Sequence, residues 1–248
     1  MADRLVKKGH RVWATCTTAE KAQRLEELGL HSAVADFDRA GESPRLGQQV
    51  FDTVVISVPI RRKDRPDTVL QRFVRLVAFL RQLSFHQAFF FGSVGIYPKV
   101  DALIDETTFP ETALDAKLLS GEHLLRSAFP SLNILRLGGL FGADRVLAKY
   151  FVGKVCQIGF QPANFVHVED ICRIVDAMMA AGSQAQTYNV VAPEHPLKKA
   201  VIEASAAKYG YDLPLAFAEA DSTAKIVSSE RLIADLGYRF MYRTPLQF

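Results

Sequence analysis

The sequence predicts an α/β protein on a doubly wound parallel sheet, with a smaller lobe toward its C-terminus. Three observations carry this. Strand-like and helix-like stretches alternate from residue 11 to about residue 142, at the spacing of strand–helix–strand crossovers. The run "FDTVVISVPI" (51–60) is almost continuously apolar and β-branched, as a strand buried on both faces should be. Beyond Gly142 the alternation loosens into short pieces. The reading therefore divides the chain into 1–142, the main sheet domain, and 143–248, mainly a lobe with some strands and helices returning to the main sheet.

The elements follow in order. "ADRLVKKGH" reads as the last turns of a helix that Gly9 stops. "RVWATCT" (11–17) is a strand, and "TAEKAQRLEELG" a helix with Thr18 as its N-cap and Gly29 as its stop. A short strand, "HSAVADF", precedes the 51–60 strand. A helix is expected from about Thr68 to Leu83, then the strand "HQAFFFGSV", a polar loop, a helix within "FPETALDAKLLSGEHLL" (109–125) and the strand "NILRLGGLFG". The lobe reads as "NFVHV" leading into the helix "EDICRIVDAMMAAG", the strand "TYNVVA", a helix from Pro196 to Tyr209, and "SSERLIADLGYRF".

Composition narrows the function classes. With 248 residues, 49% hydrophobic, the chain can bury a sizeable core. The net charge of +3 is mild, and the densest basic run, "RRKDR" (61–65), reads as a solvated loop rather than a nucleic-acid patch. No nucleic-acid partner is expected. Cys16, Cys156 and Cys172 have no paired spacing, which suits free thiols in a reducing compartment. The N-terminus is charged where a signal peptide is apolar, and no apolar run approaches the roughly 20 residues of a membrane span. A cytoplasmic protein with no membrane partner is the expectation. No metal site is expected either, since the histidines show no shared-face spacing with acids or cysteines.

Five segments, in order, carry a resemblance: "GSVGIYP" (92–98), "DETTFP" (105–110), "LRLGGLFGADR" (135–145), "NFVHVED" (164–170) and "KIVSSERLIADLGYRF" (225–240). Together they resemble the extended short-chain dehydrogenase/reductases, the NAD-dependent epimerase/dehydratase family, over nearly the whole chain. The resemblance implies a Rossmann-type fold, with 1–142 as the dinucleotide-binding domain and the lobe as the substrate-binding one.

In that family a serine or threonine, a tyrosine and a lysine act on a substrate beside a nicotinamide. The ammonium lowers the phenol's pKa, and the hydroxyl steadies the substrate oxygen. The resemblance puts Ser93 and Lys117 in the catalytic roles, but Ala113 stands where the tyrosine belongs, four residues before Lys117. Moving the register by one to suit Glu122 puts Leu118 and Leu114 in the two slots instead. Tyr97 is the nearest phenol and a candidate substitute acid. Plainer readings stand beside these: Ser93 satisfying local backbone, and Lys117 with its head in water.

The resemblance also implies cofactor contacts at Thr17, Thr18, Asp36, Phe37, Pro59, Leu137 and Gly138, and substrate contacts at Arg145, Asn164 and His167. No acid follows "RVWAT", so NADP is mildly preferred over NAD as cofactor. Thr18 as a helix cap, Arg145 in a surface ion pair and His167 as a packing residue are the alternatives. The family's first strand and glycine-rich phosphate turn have no counterpart near residue 1. The missing strand would lie between "RVWATCT" and "FDTVVISV". Either the natural chain has roughly 15–25 further residues there, the size of a strand and turn in a βαβ unit, or the sheet is remodelled. The first is the expectation.

Two functions remain open. One is an NAD(P)-dependent oxidoreductase or epimerase/dehydratase on a small polar or nucleotide-sugar-like molecule. The other is a non-catalytic NAD(P)-sensing or regulatory protein of the same fold. Relatives often dimerise through helices beside the catalytic segment, so a homodimer is compatible with the residues, though nothing in them demands one.

Overall fold

The computed structural model describes residues 1–41, 44, 46 and 50–248. In chain order the main domain holds α1 (Ala2–Lys7), β1 (Trp13–Cys16), α2 (Ala19–Glu27), β2 (His31–Val34), β3 (Val50–Ile56), α3 (Pro66–Leu80), β4 (Ser84–Ser93), β5 (Leu103–Ile104), α4 (Ala116–Ala128), β6 (Asn133–Leu137) and β7 (Gly139–Phe141). There follow β8 (Val155–Cys156), β9 (Phe165–His167), α5 (Val168–Ala180), β10 (Thr187–Val190), α6 (Lys198–Tyr209), β11 (Ala216–Phe217), β12 (Ile226–Val227) and α7 (Glu230–Leu236).

The core sheet is parallel, in the order β10–β6–β4–β3, and two layers of helices cover it. Period-2 alternation along β4 decides what each layer meets. Ala88 and Phe90 point into the cluster built with Val69, Phe73, Leu76 and Phe79 of α3 and Leu125 of α4. Phe89 and Phe91 point the other way, toward Ile171, Ile174 and Met178 of α5 and Leu232 of α7. This is the doubly wound α/β fold read from the sequence.

Beside it stands a separate two-stranded parallel sheet, β1–β2. Three short parallel pairs, β7–β9, β5–β12 and β8–β11, stitch the later segments to the earlier ones.

Several expected boundaries move, each for a local reason. The 51–60 strand ends at Ile56, and within it only Ile56 is fully buried, because the β3 edge away from β4 borders a groove. Pro59 therefore lies in the turn beyond the strand rather than at its end. The next helix starts two residues early, at Pro66, whose fixed φ and missing N–H suit the first helical position. "NILRLGGLFG" splits at Gly138 into β6 and β7, and β7 leaves the main sheet to pair with β9.

The 109–125 segment is not one helix. Glu111–Ala113 form a 3₁₀ turn, and α4 starts only at Ala116, where the Asp115 carboxylate accepts from Leu118 N as N-cap. Ala113 thus precedes the helix that holds Lys117, so the expected one-turn pairing of these positions is not present.

Candidate functional site

Thr17, Asp36, Pro59, Ser93 and Leu137 lie at or just beyond the C-terminal ends of their strands, the end at which open α/β sheets take ligands. Ser93 is the last residue of β4, level with Leu137 of β6. Its Oγ accepts from Gly95 N at 3.0 Å, closing the 3₁₀ turn that follows. The hydroxyl proton has no acceptor among the described residues.

Lys117 lies in the first turn of α4, and its ammonium donates to the carbonyls of Arg61, Arg62 and Asp64 at 2.9, 3.0 and 3.2 Å. An ammonium has three donors, and all three are committed to this turn. Arg72 fixes the same turn from α3. It donates to Pro59 O at 2.6 Å and to Asp64 at 2.8 Å, and grips Asp38 at 2.6 and 3.1 Å. Burial alone would raise the Asp64 carboxyl, but Arg72 and the Arg61 N–H outweigh it and hold it below its ordinary value. The basic run 61–65 is a solvated turn, exposed at Arg61, Arg62, Lys63 and Arg65, whose carbonyls Lys117 holds while Arg72 grips the Asp64 carboxylate.

Tyr97 is equally committed. Its hydroxyl donates to Asn189 Oδ1 at 2.7 Å and accepts from Arg136 at 2.9 Å. Arg136 in turn holds Glu122 through two bonds of 3.0 and 2.7 Å, with both side chains buried. Burial pushes the phenol pKa up, and the neighbouring guanidinium offsets that only in part. A phenol raised above its usual range is poorly suited to exchanging a proton near neutrality. Burial works against the Arg136 charge too, but its bonds to Glu122 prevail and strengthen its hold on the proton. Arg136 and Glu122 are absent from the sequence-predicted site. Their signal was a charged residue inside the apolar strand "NILRL".

The three substrate candidates separate. Asn164 spends its side chain on backbone, donating to Lys225 O and accepting from Val227 N, each at 2.8 Å. His167 caps α5, accepting from Glu169 N at 3.1 Å, and stacks on Tyr242 with ring centroids 3.5 Å apart. Burial lowers its pKa despite Asp170 and Glu169. Arg145 is exposed on the turn after β7 and has no acidic partner among the described residues.

Of the cofactor candidates, Thr17, Asp36, Phe37 and Pro59 line one groove of about 970 Å³ between β1 and β3. Thr18 caps α2 by accepting from Lys21 N. Asp36 accepts from Asp38 N at 3.0 Å and pairs with Arg39 at 3.3 Å. Leu137 and Gly138 lie apart from this groove, on β6 and at its end. Among the described residues no cluster of three acids, histidines or cysteines is placed to hold a metal. No helix among them is long and apolar enough to cross a membrane.

No known family profile matches the chain. It is 30% identical to Protein YeeZ of Escherichia coli strain K12 over 200 residues, spanning 79% of this chain and 73% of that protein. Among solved structures it is similar to a functionally unknown conserved protein from Silicibacter pomeroyi, with a TM-score of 0.76, 23% identity and coverage of 99% of this chain and 90% of the other. The Helicobacter pylori ADP-L-glycero-D-manno-heptose-6-epimerase gives 0.75 at 16% identity, covering 99% and 89%. UDP-glucuronic acid 4-epimerase from Bacillus cereus, in complex with NAD, gives 0.74 at 16% identity, covering 99% and 90%. At these identities the structural likeness is one of fold.

Proposed function

We propose that this chain, which belongs to the family of Escherichia coli Protein YeeZ, is a nucleotide-binding protein of the epimerase/dehydratase fold that works without a hydroxyl–phenol–ammonium proton relay. One observation carries this: the ammonium of Lys117 and the phenol of Tyr97, the groups such a relay would need, are each fully engaged in holding the fold. The ligand class is NAD or NADP, in keeping with the NAD bound to the Bacillus cereus neighbour. The lack of an acid at the end of β1 supports NADP. Its three free cysteines suit a cytoplasmic setting.

The residues present fit part of that ligand. Thr17, Asp36 and Phe37 would hold the adenosine, and Pro59 would line the nicotinamide ribose. None of these four candidates is a turn of backbone donors for the pyrophosphate.

A catalytic reading has one observation in its favour. Ser93 stands at the end of β4 with an uncommitted hydroxyl proton, as a group steadying a substrate oxygen would. The activity would be that of an NAD(P)-dependent oxidoreductase or epimerase on a small polar or nucleotide-sugar-like molecule. Calorimetric titration with NAD and NADP, followed by NADPH turnover on a panel of carbonyl compounds, separates the readings. Binding without turnover supports the first. Turnover that is lost in Ser93→Ala supports the second. A chain that binds neither dinucleotide refutes both.

A further inference from the structure

Three lysines gather where the lobe meets the turn after β4. Lys225, just before β12, donates to Val94 O at 3.1 Å and to Tyr97 O at 3.0 Å. Lys198, the first residue of α6, donates to Gln161 Oε1 at 2.6 Å. Lys99, two residues beyond Tyr97, pairs with Asp221 at 3.0 Å. Asp221 links the set, because its carboxyl also accepts from Thr223 and faces Gln161.

An ordinary surface lysine keeps its head in water. Lys198 and Lys225 do not. Burial lowers the pKa of both, by more than Asp221 restores at Lys198, and the charges of Lys198 and Lys99 lower Lys225 further. Lys198 also opens α6, whose first turn has no acid and no side-chain cap, and a cation there opposes the helix dipole. The nearby acids leave positive charge in excess. Asp221 sits against Lys99, while Asp101 is exposed and accepts from Ala224 N.

Donors are in surplus too. An ammonium has three, and among the described residues Lys198 uses one, Lys225 two and Lys99 one. Half-buried like charges with spare donors are stabilised by an anion between them. Lysine heads are compact charges that can be aimed separately. They suit the several oxygens of a phosphate, whereas a carboxylate is matched best by a guanidinium fork.

We propose that Lys99, Lys198 and Lys225 form a phosphate-binding site at the junction of the lobe and the turn after β4. Ser93 caps that turn and Lys225 grips its first carbonyl, so the phosphate site and the uncommitted hydroxyl share one turn. The site rests on the lysine cluster alone and stands whether or not a dinucleotide binds.

The test is acylation of lysine amines in the whole protein, read by mass spectrometry, with inorganic phosphate, glycerol 3-phosphate or acetate titrated at constant ionic strength. Both phosphates are expected to slow acylation of Lys198 and Lys225 saturably, by about fivefold or more, and that of the exposed Lys21 by less than about twofold. In Lys198→Met, which keeps an unbranched apolar stem, protecting Lys225 should take about tenfold more phosphate, the loss of one charge-assisted bond. Tighter protection by the ester marks an organic phosphate as the source, and tighter protection by inorganic phosphate marks the free ion; either sustains the site. No protection by either phosphate, equal slowing at Lys21, acetate as effective as phosphate, or an unchanged phosphate requirement in Lys198→Met would each overturn the proposal.

Discussion

Arg136 and Glu122 form a two-bond ion pair, at 3.0 and 2.7 Å, across the face of β4, and Gly92 makes room for it. A Cβ at Gly92 would stand 3.0 Å from Glu122 Oε1. The pair supports Tyr97, and through it Asn189, whose backbone N–H also donates to the Glu106 carboxylate. A carboxylate on α4, a guanidinium on β6, a phenol after β4 and an amide on β10 thus brace one end of the sheet.

Breaking such a pair leaves a buried charge uncompensated. Glu122→Ala is expected to cost roughly 3–5 kcal/mol of stability, measured by denaturant unfolding. Tyr97→Phe strands one donor and one acceptor and should cost about 1–3 kcal/mol. A Tyr97→Phe protein with unchanged stability and abolished turnover would contradict the bracing role and restore the phenol as an acid.

Lys117→Met removes three charge-assisted bonds to the 61–64 turn. The expected result is faster tryptic cleavage after Arg61, Arg62 and Lys63, by roughly tenfold for a loss of about 1.5 kcal/mol of local hydrogen bonding. Cleavage at the original rate would mean that Arg72 alone suffices to pin the turn.

The sheet was legible because burial imposes a pattern on strands: the alternating aromatics of "AFFFGS" and the apolar "NILRL" have no other use in a chain of this kind. What escaped the sequence was side-chain partnership at long range. Lys117 meets carbonyls 53–56 positions away, and Tyr97 meets an amide 92 positions away. No local spacing encodes such meetings. The helix boundary at Ala116 was legible in principle, since Asp115 is a good N-cap, but the motif one turn earlier drew the helix too far back.

His167 makes stability depend on pH. Burial lowers its pKa from the usual 6.5, so the unfolded chain takes up this proton before the folded one does. Its contribution is full above about pH 6.5 and is lost progressively as the pH falls toward its depressed folded value. His167→Asn keeps an N-cap on α5 but removes the titration and the Tyr242 stack. The variant should be less stable at pH 8 and should lose less on going to pH 5.5. Parallel stability curves for the two proteins would show that another group titrates instead.

Gly138 was read as a cofactor contact, yet the atoms that crowd it are backbone. A Cβ there would lie 2.5 Å from the Asn164 carbonyl oxygen and 3.3 Å from Phe165 Cα. That same oxygen accepts from Gly139 N at 2.8 Å, so it cannot retreat without breaking the start of the β7–β9 pairing. Gly138→Ala is therefore expected to cost about 1–3 kcal/mol, the usual penalty of overpacking, and to disturb the β7–β9 pair. If Gly138 serves the packing of β9, dinucleotide affinity measured well below the variant's melting temperature stays within about twofold of the original. A fully stable variant with greatly weakened NADP binding would place the glycine against the cofactor instead.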